Sequence, residues 1–326
     1  MGLAITILSL QLTGRKCKVI ITKTPYRISF FGGGTDYPEW YEKHGGAVLS
    51  TTINKYSYVS VRKLTFHKKL RVIHSEDELC DNRDEVMHAV ARETLKYLDI
   101  KTGYEIYHAG ELPSKSGMGA SSVFCVGLMR AFRPRKTPHA ISGSAIYIER
   151  ELMGSTCGDQ DQMAAAYGGF NIITFPGHDV ISVDENGIFK KLMLFWIGGA
   201  RDASDVAKTY DFNNCKLTLY KMKEMVNKGA TYLLADHDAF GALLDEAWWL
   251  KRQLSPVISN SIIDVHYSNA MNNGALGGKI LGAGGGGFLL LYVPEEKQDR
   301  VKKTMGLMHI PIRYEPNGSQ IIYKED

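Results

Sequence analysis

Nothing in this sequence suggests a disulfide framework, a structural zinc site or a redox pair. Its five cysteines (Cys17, Cys80, Cys125, Cys157, Cys215) are odd in number and scattered, with no CxxC pair and no metal-ligand spacing to a histidine. Such usage fits a reducing compartment, and a cytoplasmic location is expected. No apolar run approaches the roughly 20 residues that a membrane-spanning helix needs. The opening Met1 to Leu10 stretch also lacks a basic n-region and a small-residue cleavage site. Residues 1–17 therefore read as an extension or a frayed strand, and no membrane partner is expected. Charge of one sign is missing too: 39 Lys+Arg against 35 Asp+Glu leave a formal +4, far from the dense basic stripe of a nucleic-acid binder. Anionic metabolites suit that balance better, and the one compact basic run, Arg133-Pro134-Arg135-Lys136, reads as a solvated loop. Internal repeats, low-complexity segments and a GxxxxGK[ST] phosphate loop are all absent.

What is present is enough apolar material for a large core, 44% of 326 residues, which at this length suggests two domains. Short β-rich runs fill the first third: Lys18 to Ile21, Ile28 to Phe31, Ala47 to Leu64 and Leu70 to Ile73. Helical periodicity follows at Val86, Val90, Ala91, Leu95 and Leu98 and again after residue 119, so helices are expected to cover a sheet. Pro176-Gly177 is the expected linker, ahead of a turn at Glu185-Asn186-Gly187. Boundaries of 1–176 and 177–326 follow. Beyond the linker, amphipathic stretches at about 215 to 234, 237 to 253 and 260 to 272 precede a strand at Phe288 to Val293. A helix near 295 to 306 and strands near 309 to 313 and 320 to 323 complete an α+β chain.

Three glycine-rich segments carry the chemistry. Leu112 to Ser122 (LPSKSGMGASS) leads into an apolar run of helical length, Val123 to Phe132. A Gly/Ser loop opening a helix presents unpaired N–H groups and the positive end of the helix dipole, an anion site suited to phosphate. Ser121 and Ser122 would add hydroxyls to a phosphate or to its Mg²⁺, or serve only as caps. The second segment, Leu281 to Phe288, matches GxGxxG at Gly282, Gly284 and Gly287. A strand follows it rather than a helix, which argues against a dinucleotide fingerprint and for backbone that approaches a ligand or another loop closely. The third, Arg27 to Tyr37, ends a strand in a glycine turn carrying Asp36, whose carboxylate can accept hydrogen bonds from sugar hydroxyls or simply shape the turn. Glu149 lies on the margin of a helix marked by Ile141, Ala145, Ile148 and Leu152. Asp159 is placed to cap the next helix, with Asp161 in its first turn.

In combination these stretches resemble the GHMP kinases. Thr24-Pro25-Tyr26-Arg27 through Asp36, Pro113 through Ser122 and Gly282 through Gly287 stand in the family's order, with Cys157-Gly158-Asp159-Gln160-Asp161-Gln162 between the last two. The resemblance covers nearly the whole chain from about residue 18. It implies a two-domain fold, an N-terminal mixed sheet with helices and a C-terminal ferredoxin-like α/β layer, with the active-site cleft between them. It also implies a kinase that moves the γ-phosphoryl group of ATP, with Mg²⁺, onto a small-molecule hydroxyl. Arg27 through Pro38, Gly168 to Asn171, Arg201 to Ser204 and Trp249 to Lys251 look most like the D-glycero-D-manno-heptose 7-phosphate kinases, which phosphorylate the anomeric hydroxyl. A kinase for fucose or galactose and a catalytically silent sensor are the alternatives.

Carried over by position, the resemblance makes Asp161 the base and Arg27 its neighbour. It makes Lys115, Ser116, Gly117, Met118, Gly119, Ala120, Ser121 and Ser122 the phosphate loop, and Ser121 and Glu149 the metal ligands. Gly33, Gly34, Thr35, Asp36, Gly284 and Gly285 fall to the sugar, and Arg201, Ser204 and Lys251 to its phosphate. Ala120 and Lys115 depart from the family's usual serine and glycine. The implied partners are ATP and a sugar phosphate, with self-association as a homodimer left open.

Overall fold

The computed structural model describes residues 19–66, 68–199 and 203–325. The first sheet contains β1 (Val19–Phe31), β2 (Gly46–Lys63), β3 (Leu70–Ile73), β4 (Asp77–Cys80), β5 (Tyr104–Gly110), β6 (Phe170–Phe175) and β7 (Asp179–Ser182). The second contains β8 (Leu192–Gly198), β9 (Gly277–Ile280), β10 (Gly287–Tyr292) and β11 (Met308–Ile310), and the last strand, β12 (Gln320–Lys324), returns to the first. The first sheet runs β12-β1-β2-β5-β3-β4, with β6 on β2 and β7 on β6; only the β3–β5 pair is parallel. The second runs β11-β8-β10-β9 and is antiparallel throughout. The helices are α1 (Pro38–His44), α2 (Ala89–Tyr97), α3 (Ala120–Phe132), α4 (Pro138–Tyr147), α5 (Gln160–Tyr167), α6 (Ala203–Ala207), α7 (Lys216–Ala235), α8 (His237–Arg252), α9 (Ser261–Asn272) and α10 (Gln298–Met305).

Two runs expected as separate strands are one. β1 passes through Pro25 because β12 pairs it only as far as Lys23, so no ladder is broken where proline lacks its N–H. On the other side the register with β2 shifts between Pro25 and Arg27, a bulge of the kind that re-aims a side chain beside a site. β2 serves two neighbours in turn, β6 along Gly46–Thr51 and β5 along Ser57–Lys63. Helix α3 is apolar almost all round because it is buried almost all round, lying on β1 and β2. Phe30 and Phe31 of β1 meet Phe170 of β6 and Phe240 of α8 at ring distances of 5.1–5.3 Å, so one aromatic cluster joins the two halves.

Pro176-Gly177, read as a linker, instead forms the turn of the β6–β7 hairpin, where Thr174 pairs with Asp179. The chain crosses to the second sheet between Ser182 and Leu192, through the turn at 185–187, where Asn186 and Gly187 take φ of 46° and 73°. The single helix expected from Ile141 to Leu152 ends at Tyr147, and Ile148–Leu152 continues as a π turn. Wider winding of this kind is frequent at functional sites, and here it carries Glu149. Among the described residues no helix is long and apolar enough to cross a membrane.

Candidate active site

Beyond the bulge in β1, Arg27 is 4% exposed and bound to a carboxylate that lies 134 residues away in sequence. Its Nε donates to Asp161 Oδ1 and its Nη2 to Asp161 Oδ2, both at 2.7 Å, while Nη1 donates to the Gly117 carbonyl at 2.9 Å. This two-pronged pair fixes the carboxylate in orientation as well as position. Asp161 sits in the first turn of α5. Gly119 backs it so closely that a Cβ there would stand 2.9 Å from Asp161 Oδ2.

The loop before α3 turns through left-handed residues at 115, 117 and 119, with φ of 56°, 82° and 74°. Such alternation converges successive N–H groups on one concavity. The first-turn donors of Ala120, Ser121 and Ser122 lack intrahelical acceptors, as at any helix start, and Gly119 offers α3 no side-chain cap in their place. Lys115, at the position where the family often has glycine, adopts a glycine-like conformation. Ser116 closes the loop by donating to the Pro113 carbonyl at 2.6 Å, and the Met118 side chain is buried in the core. Those two contribute backbone rather than side chain. Ser121 and Ser122 both turn to Glu149, donating to Oε1 at 2.5 Å and Oε2 at 2.7 Å, and Gln162 Nε2 adds a third bond at 2.6 Å. Burial nevertheless holds the Glu149 carboxyl above its ordinary value.

Asp36 is 1% exposed; it accepts from the Gly34 N–H and from Gln160 Nε2, both at 2.9 Å. Burial raises its pKa to about 6. Three successive residues of α5 thus reach three charged groups: Gln160 to Asp36, Asp161 to Arg27 and Gln162 to Glu149. Asp159, expected as the cap of α5, does not cap it. Stronger partners hold its buried carboxylate: Tyr41 Oη at 2.7 Å, His178 Nε2 at 2.8 Å and Arg150 Nη1 at 3.1 Å.

The sugar-side assignments divide. Gly33, Gly34, Asp36, Ser204 and Lys251 line the same cavity as the loop and the Arg27–Asp161 pair. Thr35 does not: its hydroxyl donates to the Gly32 and Ala47 carbonyls and closes the turn. Gly284 and Gly285 also face elsewhere, packing on Ile258 and Asn260, and the cavity edge is formed by Gly282 and Ala283. Lys251 Nζ donates to the Ile280 and Gly282 carbonyls at 2.8 and 2.5 Å, which props the glycine segment, and burial lowers its pKa strongly. Arg201 lies outside the described residues.

The cavity encloses about 390 Å³, ample for a small ligand. Sequence reading missed one of its walls. His108 stacks on Phe124 at 4.3 Å and His88 meets the same ring edge-on at 4.9 Å. Burial brings the His108 pKa down to about 4, so this wall is uncharged at neutral pH. No motif announces it, because its residues are spread over the cap of α2, β5 and α3. Lys279 was missed as well; it donates to the Phe30 carbonyl at 2.7 Å, and burial lowers its pKa to about 7. Gln160 and Gln162 carried a signal, flanking Asp161 in a stretch already singled out.

An anion-binding loop, a fixed carboxylate–guanidinium pair and a second buried carboxylate thus share one cleft, and the family models agree with that chemistry. The GHMP kinases N terminal domain matches residues 85–169 and the GHMP kinases C terminal domain residues 230–307. The chain belongs to the GHMP kinase family. It is a sugar kinase, similar to a D-glycero-alpha-D-manno-heptose 7-phosphate kinase of Campylobacter jejuni at 28% identity over 87% of this chain and 93% of that protein. It is also similar to a galactokinase of Pyrococcus furiosus at 22% identity, over 88% and 91% of the two chains. Among solved structures, a D-glycero-D-manno-heptose 1-phosphate kinase from Bacteroides thetaiotaomicron shares the fold with a TM-score of 0.76 at 21% identity, over 93% of this chain and 99% of that one.

Proposed function

We propose that this sugar kinase transfers the γ-phosphoryl group of ATP to the anomeric hydroxyl of D-glycero-D-manno-heptose 7-phosphate, giving the 1,7-bisphosphate on the way to nucleotide-activated heptose. The observation that carries the reading is the convergence of Asp161, held by Arg27, with the α3 N-terminus and Asp36 around one cavity. The similarity to the Campylobacter protein supports the choice of acceptor.

Phosphoryl transfer asks a protein mainly for positioning and for neutralising charge on the transferred group. The N–H groups of residues 117 to 122 take the ATP phosphates, and the wall of His88, His108 and Phe124 takes the base. Asp161 removes the proton of the attacking hydroxyl as its oxygen bonds to phosphorus and the bond to ADP breaks. Asp36, with the Gly33 and Gly34 backbone, holds neighbouring hydroxyls. Ser204, Lys251 and Arg201 are assigned to the 7-phosphate, Lys251 having two of its three donors committed to carbonyls.

Glu149 and Ser121 fit Mg²⁺ in donor chemistry, since both offer hard oxygen atoms and a hydrogen bond already brings them together. Among the described residues no three His, Cys, Asp or Glu side chains group to hold a metal, so further ligands would be phosphate oxygens and water. When bound, the ion would neutralise phosphate charge.

The test is ADP release with ATP and Mg²⁺ across heptose 7-phosphate, heptose, fucose, galactose and their phosphates, with the product position read by phosphorus NMR. Heptose 7-phosphate is expected to give the highest kcat/KM. A preference for fucose or galactose would replace the acceptor, and ATP binding without turnover on any sugar would favour the sensor.

Asp36 supplies a pH prediction. With its pKa near 6 it is mostly ionised at pH 7 and mostly protonated at pH 5, where it accepts fewer hydrogen bonds. The KM for the acceptor is expected to rise as pH falls through 6, and Asp36→Asn should flatten that dependence while raising KM throughout. A parent KM that stays level from pH 7 to 5 would remove Asp36 from acceptor binding.

A further inference from the structure

In two residues of the cavity lining, buried polar atoms have no hydrogen-bond partner among the described residues: Ser29 Oγ and Gln160 Oε1. Both residues line the cavity, and they are 7% and 8% exposed. Ser29 stands two positions after Arg27 on β1, and Gln160 opens α5 directly before Asp161. Their side chains meet beside Gly33: a Cβ built there would lie 3.5 Å from Ser29 Oγ and 3.7 Å from Gln160 Nε2, with Gln160 Oε1 beyond 4 Å, so glycine leaves its side-chain volume open.

The chemistry of the two atoms restricts what can fill it. Gln160 gives its amide nitrogen to Asp36 Oδ2 at 2.9 Å, and because Asp36 can only accept when ionised, that contact fixes which end of the amide points away. The free end is an acceptor. A phosphate or carboxylate oxygen cannot satisfy it, whereas an O–H can. Ser29 Oγ both donates and accepts, as a sugar hydroxyl also does. Buried polar atoms are ordinarily paired, and unpaired ones call for an explanation.

We infer that Ser29 and Gln160 bind an uncharged hydroxyl of the acceptor next to the one held by Asp36, and that they set which sugars the enzyme accepts. The inference rests on the sugar-kinase reading but not on heptose, since the subsite is assigned to hydroxyls and not to the distal phosphate.

Ser29→Ala separates a ligand role from a structural one. The hydroxyl supports nothing in the protein itself, so its removal should leave Tm and the KM for ATP unchanged. The KM for the acceptor should rise about tenfold, the loss of one uncharged hydrogen bond. Using the best acceptor from the screen above, monodeoxy analogues complete the test. With the one analogue lacking the hydroxyl that Ser29 meets, parent and Ser29→Ala should have the same kcat/KM; with the others the variant should remain about tenfold worse. Gln160→Met removes the donor to Asp36 as well as the free acceptor, so its penalty should shrink on the same analogue, or on the one deoxygenated at the neighbouring carbon, without vanishing. An unchanged acceptor KM in Ser29→Ala, or a penalty that no deoxy analogue erases, overturns the inference and leaves the kinase assignment standing. A different preferred sugar overturns only the heptose reading, because the same measurements run on that sugar.

Discussion

Replacing Asp161 by asparagine is expected to lower turnover by roughly 10² to 10⁴, the range for loss of a general base, with ATP affinity close to the parent's. The geometry separates those two effects. Asp161 is bound through both oxygens by Arg27 at 2.7 Å and faces the cavity from the first turn of α5, whereas the donors proposed for the ATP phosphates belong to the backbone of residues 117 to 122. The substitution keeps an acceptor for Arg27 Nε but sets an NH₂ group against Nη2, donor against donor. Arg27, 4% exposed, is then left without its counter-charge, so some stability should be lost as well. Single-turnover rates at saturating ATP, with the ATP dissociation constant measured separately, distinguish lost chemistry from lost folding. Near-parent turnover in a folded variant would mean that proximity and charge neutralisation carry the step without a base.

Gly282→Ala should be strongly damaging, costing about 2–5 kcal/mol from backbone strain and forced repacking together. Gly282 takes φ of 65°, and a Cβ there would stand 2.2 Å from Gly117 Cα and 2.5 Å from the Gly117 carbonyl oxygen. Those are backbone atoms of the loop before α3, which cannot swing aside as a side chain can. Gly117 in turn spends its carbonyl on Arg27, so the displacement would reach the Arg27–Asp161 pair, and the KM for ATP should rise with the loss of stability. Gly306→Ala is the control: φ there is 59°, with nothing within 4 Å of the added carbon, so it carries conformational strain alone. Equal urea midpoints for the two variants would show that the close approach of the two glycine segments does not matter.

That approach explains a motif whose purpose the sequence left open. Gly282 and Gly287 are glycines because each lies on backbone of the loop at 116 to 117, which is neither nucleotide binding of the dinucleotide type nor, at Gly284 and Gly285, contact with the cavity. The order of three glycine segments was readable, but their mutual packing was not. It joins residues more than 160 positions apart, and linear spacing says nothing about such pairs.

By itself, the sequence determined some local matters: where many of the strands and helices run, that a Gly/Ser loop opens an apolar helix, and that Asp161 stands in a first turn. Short-range sterics and periodic burial decide those, and both are written in neighbouring residues. Tertiary structure alone decided the rest. It joined Arg27 to Asp161, gave both serines to Glu149, drew the Asp159 carboxylate away from capping toward Tyr41, Arg150 and His178, and built an uncharged wall from His88, His108 and Phe124. In each case a buried polar or charged group takes whichever partner the fold brings within reach, because leaving it unpaired costs more than a local contact returns.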